Sequence, residues 1–381
     1  MSDRKVHFLR DKISVDPTGG NVIALIEWNY TTWKLETTES GNIVKSFSIS
    51  RGGEVDKCGF EQVVITCNGN ETGIERRQTV TLTAIDGGEC AQLTLIQKSV
   101  DDKDHHRYYV KADIESEGDG TFEAPFKTIA MAASKVHAGD TILVMDGIYI
   151  EENIIPANSG TEEAMIVFKP VSKNDKVIIK HPGIEFTKDG TKIFNINNRS
   201  YIWIEGFTFK DYHYAGSTIE LKDAVGCVIY NNRFEDIGND QIVDVGQALI
   251  NIYRSNRNVI CNNYFYDIFG DGVSIGRTSK NNLVCNNTFD TFKGKARRWA
   301  GEGSSYTTNV TLGDEVEDAD NLVAFNTSTK GKPFVWLDRN GSDNIVLRNV
   351  GHDSDAFVFN ESRCARNLIP VSYTHLRAHE T

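Results

Sequence analysis

The sequence predicts an all-β protein: a small N-terminal β-sandwich followed by a right-handed parallel β-helix, which is a solenoid of stacked coils. Three observations predict this architecture, namely a repeated strand motif that ends in Asn, a single amphipathic helix ahead of the repeats, and short alternating strands ahead of that helix. The motif occurs five times, as CVIYNNRF, NVICNNYF, NLVCNNTF, NLVAFNTS and NIVLRNVG. Each copy joins a β-branched run to a polar turn, so each copy is interpreted as one coil.

The first domain is predicted to span residues 13–98, with residues 1–12 disordered. Short stretches of alternating polar and apolar residues, separated by Gly, Asn and Asp, are typical of an immunoglobulin-like β-sandwich. Trp33 is expected to pack between the sheets. Together with NETGIERRQTVTLTA and the closing strand LTLIQK, Trp33 makes this segment resemble the BACON domain, a carbohydrate-associated sandwich.

A charged connector, residues 99–107, precedes the solenoid, which is predicted to span residues 108–370. Pro125 begins a stretch with apolar residues at helical spacing, namely Phe126, Ile129, Ala132, Ala133 and Val136. This spacing predicts one amphipathic helix that caps the open end of the solenoid core. The surrounding segment GDGTFEAPFKTIAMAASKVHAGDTILVMDGIY resembles the opening of right-handed β-helix polysaccharide lyases, which implies a pectin lyase-like fold.

The Asn that closes each motif sets the expected register of the coils. The five members, separated by steps of 31, 24, 39 and 23 residues, are Asn232, Asn263, Asn287, Asn326 and Asn349. A basic turn of about 23 residues, twice lengthened by insertion, accounts for these steps. Asn tolerates left-handed backbone, and its amide can stack on the amide of the next strand. We therefore expect the five side chains to stack in one turn of the solenoid.

The last eleven residues, 371–381, read VSYTHLRAHET and resemble one reading frame of a sequencing-library adapter. They interrupt the coil pattern, so they are interpreted as an artefactual tail. The β-helix is accordingly expected to be truncated at its C-terminal end, and site residues further on are expected to be lost. An uncapped last coil favours edge-to-edge association, whereas the full-length protein is expected to be a monomer.

Composition limits the partners and the location. The chain of 381 residues is 39% hydrophobic and 25% charged, which is typical of a globular protein. It contains no run of eighteen apolar residues, so no membrane span is predicted. A net charge of −12 argues against a general nucleic-acid binder. The first residues lack the apolar core of a signal peptide. Because a glycan is the expected partner, we expect a secreted, periplasmic or cell-surface protein whose true start is missing.

Three of the seven cysteines, Cys227, Cys261 and Cys285, occupy nearly the same place in successive motifs. Free Cys behaves as a small apolar residue in a protein core. We therefore expect stacked, buried and reduced thiols, and their spacing matches no zinc signature.

A second strand in each coil divides its side chains between the core and the surface. The residues expected to point inward are Ile219, Ile250, Val273, Val310 and Val335. Those expected to point outward are Glu220, Asn251, Ser274, Thr311 and Trp336. Just beyond these strands, matching places are held by Arg254, Arg277 and Arg339. These cations are either neutralised by Asp223, Asp314 and Asp338 in a solvated charge ladder, or they bind an anionic substrate.

β-Elimination on a uronic acid polymer needs a cation beside the carboxylate, a base for the C5 proton and an acid for the leaving oxygen. Residues 247–277 resemble polysaccharide lyase family six, the chondroitinase B and alginate lyase group, in which a Lys and an Arg on successive coils are base and acid. The resemblance implies catalytic roles for Arg254, which replaces the Lys, and for Arg277. Arg is a poor base, and Gln247 and Leu249 replace calcium-binding Glu residues. No cofactor is therefore expected, and calcium is an alternative whose family ligands are not matched.

A hydrolase is the rival interpretation. The segment GDGVSIG, residues 270–276, is similar to the polygalacturonase motif GHGLSIG with Asp271 in place of its His. Inverting hydrolysis needs carboxylates on adjacent coils, one as acid and one to activate water. The resemblance implies a catalytic role for Asp271, for which Asp240 and Asp244 are candidate partners.

The longest insertion places a basic cluster beside an aromatic side chain, in Lys293, Lys295, Arg297, Arg298 and Trp299. Such a cluster could bind an anionic sugar chain, with Trp336 as a further contact, or it could pair with the acidic end of the same insertion. The leading hypothesis is a polysaccharide lyase that acts on an acidic polysaccharide. A polygalacturonase-type hydrolase and a non-catalytic glycan-binding protein are the alternatives.

Overall fold

The computed structural model describes residues 5–85, 87–99, 106–172, 176–182, 192–212, 217–237, 248–268, 271–290, 297–298, 305–306, 310–313, 320–329, 335–337, 342–352, 358–360, 364, 366–367, 369 and 373–375. The chain forms two compact units, one made of Met1–His105 with Glu162–Ala164 and one made of His106–Thr161 with Met165–Thr381. In the part of the chain that is described, no helix is long and apolar enough to cross a membrane.

The first unit contains a seven-stranded sheet in which only the β2 to β7 pairing is parallel. Its strands are β1 (Val6–Phe8), β2 (Lys12–Val15), β3 (Gly20–Thr37), β4 (Val44–Phe47), β5 (Arg51–Cys67), β6 (Arg76–Ala84) and β7 (Cys90–Gln97). β3 and β5 are far longer than the short strands that the sequence predicted. The pairing of β3 with β5 is irregular between Asn29 and Thr31, where Tyr30 has a φ of 50°. The irregularity lets β3 bend, and β3 pairs with both β5 and β6.

Trp33 lies in the core of this unit, as expected, and is fully buried. Its indole ring lies over Gly52, where a Cβ atom would come within 2.6 Å of Cζ2. Gly52 therefore leaves the space that Trp33 fills, and the neighbouring Gly53 adopts a left-handed φ of 78°. Trp28, on the same strand, is also buried, so the two tryptophans form part of the core against which the strands pack.

The second unit is a right-handed parallel β-helix with three sheets, here called walls. The first wall comprises β8 (Arg107–Val110), β9 (Thr141–Val144), β11 (Ile166–Pro170), β14 (Ile202–Glu205), β17 (Val228–Tyr230), β20 (Val259–Cys261), β23 (Leu283–Cys285), β28 (Leu322–Ala324) and β31 (Ile345–Leu347). The second wall comprises β10 (Gly147–Ile150), β12 (Val177–Lys180), β15 (Thr208–Tyr212), β18 (Arg233–Ile237), β21 (Tyr264–Ile268), β24 (Thr288–Asp290), β29 (Thr327–Thr329), β32 (Val350–His352) and β34 (Tyr373–His375).

The third wall comprises β13 (Phe194–Asn197), β16 (Ile219–Lys222), β19 (Ala248–Tyr253), β22 (Asp271–Gly276), β27 (Val310–Leu312), β30 (Val335–Leu337) and β33 (Val358–Asn360). A short antiparallel pair, β25 (Arg297–Arg298) and β26 (Ser305–Tyr306), lies in the long insertion. Each coil passes from the first wall to the second and then to the third. The long insertions therefore fall between the second and third walls.

The core is a set of columns, one residue per coil. The predicted inward column is confirmed, because these residues pair in register and are fully buried: Ile219, Ile250, Val273, Val310 and Val335. Beneath the second wall, four phenylalanines stack with ring centroids 5.0, 4.7 and 4.6 Å apart, namely Phe209, Phe234, Phe265 and Phe289. Burial of these columns along parallel strands supplies the main driving force for folding of the unit.

The predicted Asn ladder is confirmed. In each step, Oδ1 of one Asn accepts the backbone N–H of the Asn one coil earlier at 2.9 or 3.0 Å and also accepts its side-chain amide. A second ladder, which the sequence analysis missed, precedes the strands of the first wall and consists of Asn258, Asn282, Asn321, Asn344 and Asn367. Two ladders thus flank the first wall and hold both of its corners.

The left-handed residue of the turn is not the ladder Asn, contrary to expectation. It is the residue just before it, as in Asn231, Asn262, Asn286, Phe325 and Arg348, with φ between 50° and 59°. The ladder Asn instead contributes its side-chain oxygen, which accepts a backbone N–H of the turn on the preceding coil in place of a backbone carbonyl. A left-handed residue followed by an extended one turns the chain within two residues.

The capping helix is present but shorter than the predicted spacing implied. α1 spans Ile129–Ala133, and Phe126 instead forms an isolated bridge with Val110. The helix begins where it does because Thr128 caps it and because the Glu151 carboxylate accepts the backbone N–H groups of Ile129 and Ala130 at 2.8 and 2.9 Å. Burial raises the pKa of Glu151, and the two N–H groups oppose that rise.

Two further expectations need correction. Tyr373–His375 continues the second wall in parallel register with β32, so the coil pattern does not stop at residue 370. An open parallel edge offers donors and acceptors that a short extended segment can satisfy.

Among the cysteines, Cys261 and Cys285 are in register, but the residue in register with them on the preceding coil is Tyr230. Cys227 lies just before β17, at the first position of its motif, where the next two motifs have Asn258 and Asn282.

We predict that Asn287→Ala lowers the free energy of unfolding of the β-helix by about 2 to 4 kcal/mol, because it leaves the buried N–H of Asn263 and C=O of Ile260 without partners. Urea denaturation followed by circular dichroism measures the change. The matched control is Asn262→Gly at an exposed left-handed position, which should cost less than about 1 kcal/mol. Equal effects of the two substitutions would contradict the role of the ladder.

Candidate functional site

The outer face of the third wall carries a column of polar side chains, here called the groove floor. The column has one residue per coil and contains Asn195, Glu220, Asn251, Ser274, Thr311 and Trp336. Neighbouring members lie on strands about 4.8 Å apart. These are the outward positions that the sequence analysis assigned, with Asn195 added at the N-terminal end.

Most of the floor is covered although it points away from the core. Glu220, Thr311 and Trp336 are only 8%, 3% and 6% exposed. Trp336 was expected to offer an exposed surface to a sugar. Its place in the column is as expected, but its burial means that it does not present an open stacking surface.

Several acceptor atoms on the floor, or two residues along the same strand from it, have no protein donor. The Oδ1 atoms of Asn195, Asn197 and Asn251 are buried, and no described residue donates to them. The Asn251 side chain is oriented by its own amide, which donates to Oγ of Ser217. A buried acceptor without a partner costs roughly 1 to 3 kcal/mol. The third wall therefore holds acceptor capacity that no described residue uses.

Two buried carboxylates lie on the same wall. Glu220 accepts a hydrogen bond from Nδ2 of Asn197 at 3.0 Å and is 3.5 Å from Nζ of Lys192. Asp271, at the start of β22, is 3% exposed and accepts a hydrogen bond from Oγ1 of Thr311 at 3.0 Å. Asp240 and Asp244, the expected partners of Asp271, lie outside the described residues. The sequence analysis assigned Glu220 to the outward face but gave it no chemical role.

Arg254 is engaged by a neighbouring carboxylate. Its Nε and Nη2 atoms donate to Oδ1 and Oδ2 of Asp223 at 2.7 and 2.6 Å. These hydrogen bonds lower the pKa of Asp223 and raise that of Arg254. The same bidentate pairing recurs between Arg366 and Asp343, in the turn that precedes the first wall several coils later. This geometry leaves Arg254 fully charged and unsuited to accept a proton.

Arg277 lies one coil beyond Arg254, in a different environment. Its guanidinium carbon is 5.2 Å from the centre of the Tyr253 ring, within the range of a cation–π contact. Both arginines have left-handed backbone, as do Asn198 and Asp223 at the same corner. The conformation therefore belongs to the turn that ends each third-wall strand, and it positions Arg277 immediately after β22.

Lys222 completes this group and was missed by the sequence analysis. It ends β16, pairs in register with Tyr253, and shares the outward orientation of Glu220 and Asn251. Its ammonium makes no hydrogen bond or ion pair with any residue whose placement is described. Aligning IELKDAV with INIYRSN puts Lys222 one residue before the position of Arg254, a signal that was present in the sequence. The result is a cluster of Lys222, Tyr253 and Arg277 on three adjacent coils, here called the cationic cluster.

The remaining predicted contacts cannot be placed in this geometry. Lys293, Lys295, Trp299 and Arg339 lie outside the described residues, as do Asp314 and Asp338. Arg297 and Arg298 are placed only by the backbone of β25. Within the described ranges, no group of three His, Cys, Asp or Glu side chains is arranged to hold a metal ion.

A buried histidine lies at the corner between the second and third walls. Nε2 of His181 is 3.1 Å from Oε2 of Glu152, and the imidazole is only 3% exposed. Burial lowers the pKa of His181, and the Glu152 carboxylate opposes that change. The neutral imidazole is therefore the form that the folded protein favours.

No protein-family model matches the chain. The uncharacterized protein YwoF of Bacillus subtilis is 31% identical over 103 residues, and the match covers 27% of this chain and 22% of YwoF. XylC in complex with xylose has a TM-score of 0.51 at 14% identity over 69% of this chain and 65% of XylC. The PL6 family alginate lyase AlyGC has a TM-score of 0.46 at 15% identity over 71% of this chain and 38% of its own. The chain thus spans about a fifth of YwoF and just under two thirds of XylC, and the XylC likeness shows the β-helix fold.

We predict that stability of the β-helix falls as the pH is lowered from 7 through the depressed pKa of His181. Unfolded His181 takes up a proton near its ordinary pKa of 6.5, before the folded form does, so protons favour the unfolded state. Thermal melts between pH 4 and 8 measure the slope, which His181→Gln should reduce. Glu152→Gln should enlarge the loss and extend it to lower pH, since it removes the group that raises the folded-state pKa of His181. An unchanged slope in His181→Gln would contradict the assignment.

Proposed function

We propose that this chain is a carbohydrate-active β-helix protein that cleaves a uronate-containing polysaccharide by β-elimination on the third wall. One observation carries the proposal: Lys222, Tyr253 and Arg277 come together at the C-terminal ends of adjacent third-wall strands. This cluster offers a cation, a proton acceptor and a proton donor, which are the three groups that the reaction requires.

Each member of the cationic cluster has a distinct role in the proposed reaction. Arg277 binds the uronate carboxylate and stabilises the charge that develops when the C5 proton leaves. Lys222 is the proposed base that takes that proton. The C4–O bond then breaks as the C4–C5 double bond forms, and the Tyr253 hydroxyl donates its proton to the leaving oxygen. Arg254 has no proton-transfer role, because Asp223 holds it as a charged pair.

The groove floor supports a glycan ligand. Its amide and hydroxyl side chains, such as Asn251 and Ser274, are of the kind that hydrogen-bond to sugar hydroxyls. The spacing of about 4.8 Å between coils is close to the length of one sugar ring, so a chain lying along the wall meets one floor residue per sugar. The BACON-like features of residues 13–98 are consistent with the same role. We propose an extracytoplasmic location and an acidic polysaccharide as partner, with no cofactor.

A hydrolase is the second candidate, favoured by one observation. Glu220 and Asp271 are both buried carboxylates on the third wall, on strands separated only by β19. In hydrolysis one carboxyl group can act as the acid while a second activates water. In this alternative the chain hydrolyses a glycosidic bond, and the cationic cluster only binds substrate.

We predict that Arg277→Ala, Lys222→Ala and Tyr253→Phe each reduce lyase turnover by about 100-fold or more, because each removes one of the three required groups. The assay follows the ultraviolet absorbance of unsaturated uronate released from alginate, pectate or a glycosaminoglycan. Lys210→Ala, on the second wall and paired with Glu235, is the matched control and should retain wild-type turnover. Circular dichroism verifies that each variant is folded.

Other outcomes would redirect the proposal. The hydrolase would be favoured over the lyase if the products lacked that absorbance. Their release should then be lost in Glu220→Gln and Asp271→Asn but not in Lys222→Ala. Glycan binding without turnover, unaffected by Arg277→Ala, would leave a binding protein whose site lies elsewhere. Full lyase activity in Lys222→Ala would remove Lys222 from the mechanism.

A further inference from the structure

The outer face of the first wall carries two cysteines on neighbouring coils. Cys261 ends β20 and Cys285 ends β23, and the two residues pair in parallel register. Their column continues with Tyr230 on one side and Ala324 on the other. This column is less polar than the groove floor, because the residues on either side of the cysteines are aromatic and apolar.

The geometry of this pair suits a covalent bond. Register partners on neighbouring parallel strands have Cα atoms about 4.8 Å apart, inside the range of about 4.4 to 6.8 Å that a disulfide spans. The two sulfur atoms are 2.7 Å apart and unbonded. Non-bonded heavy atoms pack best at about 3.5 to 4.0 Å, so the two thiols are closer than simple packing brings them.

Burial separates this pair from the surface. Cys261 is 1% exposed and Cys285 is fully buried. Cys227 is also buried, but its Sγ lies 3.8 Å from the carbonyl oxygen of Arg199 and 3.9 Å from that of Val225, with no cysteine in register. Of the three cysteines that the sequence aligned, only two are therefore placed to react with each other.

We propose that Cys261 and Cys285 form a disulfide that cross-links two coils of the first wall when the chain meets a disulfide oxidant, such as oxidised glutathione. One thiolate attacks the oxidant, which gives a mixed disulfide and releases one molecule of the reduced thiol. The second thiolate then attacks the first cysteine's sulfur, which forms the protein disulfide and releases the other reduced thiol. Two protein thiols are oxidised, and one oxidant disulfide is reduced to two thiols.

The burial of both sulfurs sets the timing of this step. An oxidant cannot reach them once β20 and β23 have paired in a packed wall, so the exchange takes place during folding or when this coil opens. Once formed, the bond is shielded from reductants in the same way. Such a bond persists in an oxidising compartment.

The cross-link encloses one complete coil. The 24-residue step from Cys261 to Cys285 contains β21, β22 and the turn with Arg277, so the bond would hold the coil that carries both Asp271 and Arg277. Closing a loop of this size restricts the unfolded chain and raises stability. The inference rests on the first wall alone and stands whether or not the proposed function is correct.

The test refolds the 381-residue chain with and without oxidised glutathione, then unfolds it in guanidinium with N-ethylmaleimide and maps the peptides by mass spectrometry. We expect a peptide pair that links Cys261 to Cys285, lighter by two hydrogens and separated by reductant. Cys227 is the internal control and should carry maleimide. We also expect the oxidised protein to melt roughly 5 °C or more above the reduced protein.

The Cys285→Ser variant distinguishes a specific bond from general oxidation. In this variant Cys261 should carry maleimide and the difference in melting temperature between oxidised and reduced samples should disappear. Maleimide on both Cys261 and Cys285 after oxidative refolding of the wild type would overturn the proposal. So would a stable glutathione adduct on either residue, or a bond from either residue to any other cysteine.

Discussion

The structure of the β-helix depends on one repeated hydrogen bond, in which an Asn side chain on one coil accepts the backbone N–H of the Asn one coil earlier. The ladder residues in the turns that flank the first wall are buried, and their backbone N–H groups have no strand partner. Oδ1 of Asn263 or Asn287 supplies that partner at 2.9 or 3.0 Å and also accepts the preceding side-chain amide. A buried donor left alone would cost roughly 1 to 3 kcal/mol, so register is strongly specified at every coil.

Because the ladders hold both corners of the first wall, insertions elsewhere do not shift the columns. The steps between ladder members range from 23 to 39 residues, yet Ile250, Val273 and Val310 remain in register. Most of the extra length enters between the second and third walls. A solenoid can therefore change the surface next to the third wall without disturbing its core. A binding site can vary most freely on that surface.

The same register decides the electrostatics of the proposed site. Arg254 and Arg277 follow third-wall strands on successive coils, and each side chain lies over the coil before its own. For Arg254 the preceding coil offers Asp223, which accepts two hydrogen bonds from it. For Arg277 the preceding coil offers the Tyr253 ring, which attracts the cation through its face. Two arginines that look equivalent in sequence thus meet different side chains on the preceding coil.

The sequence by itself determined the β-helix, the ladder from Asn232 to Asn349 and the inward and outward faces of the third wall. These features repeat along the chain, and a repeated local pattern with a period of two or about 23 residues can be recognised without knowledge of contacts. The tertiary structure alone decided which partner each side chain meets on the next coil: Asp223 for Arg254, Tyr253 beside Lys222, Cys285 beside Cys261, and a buried place for Trp336. Those contacts join residues 24 to 31 positions apart across insertions of unequal length, and only folding of the intervening coil sets which residues become neighbours.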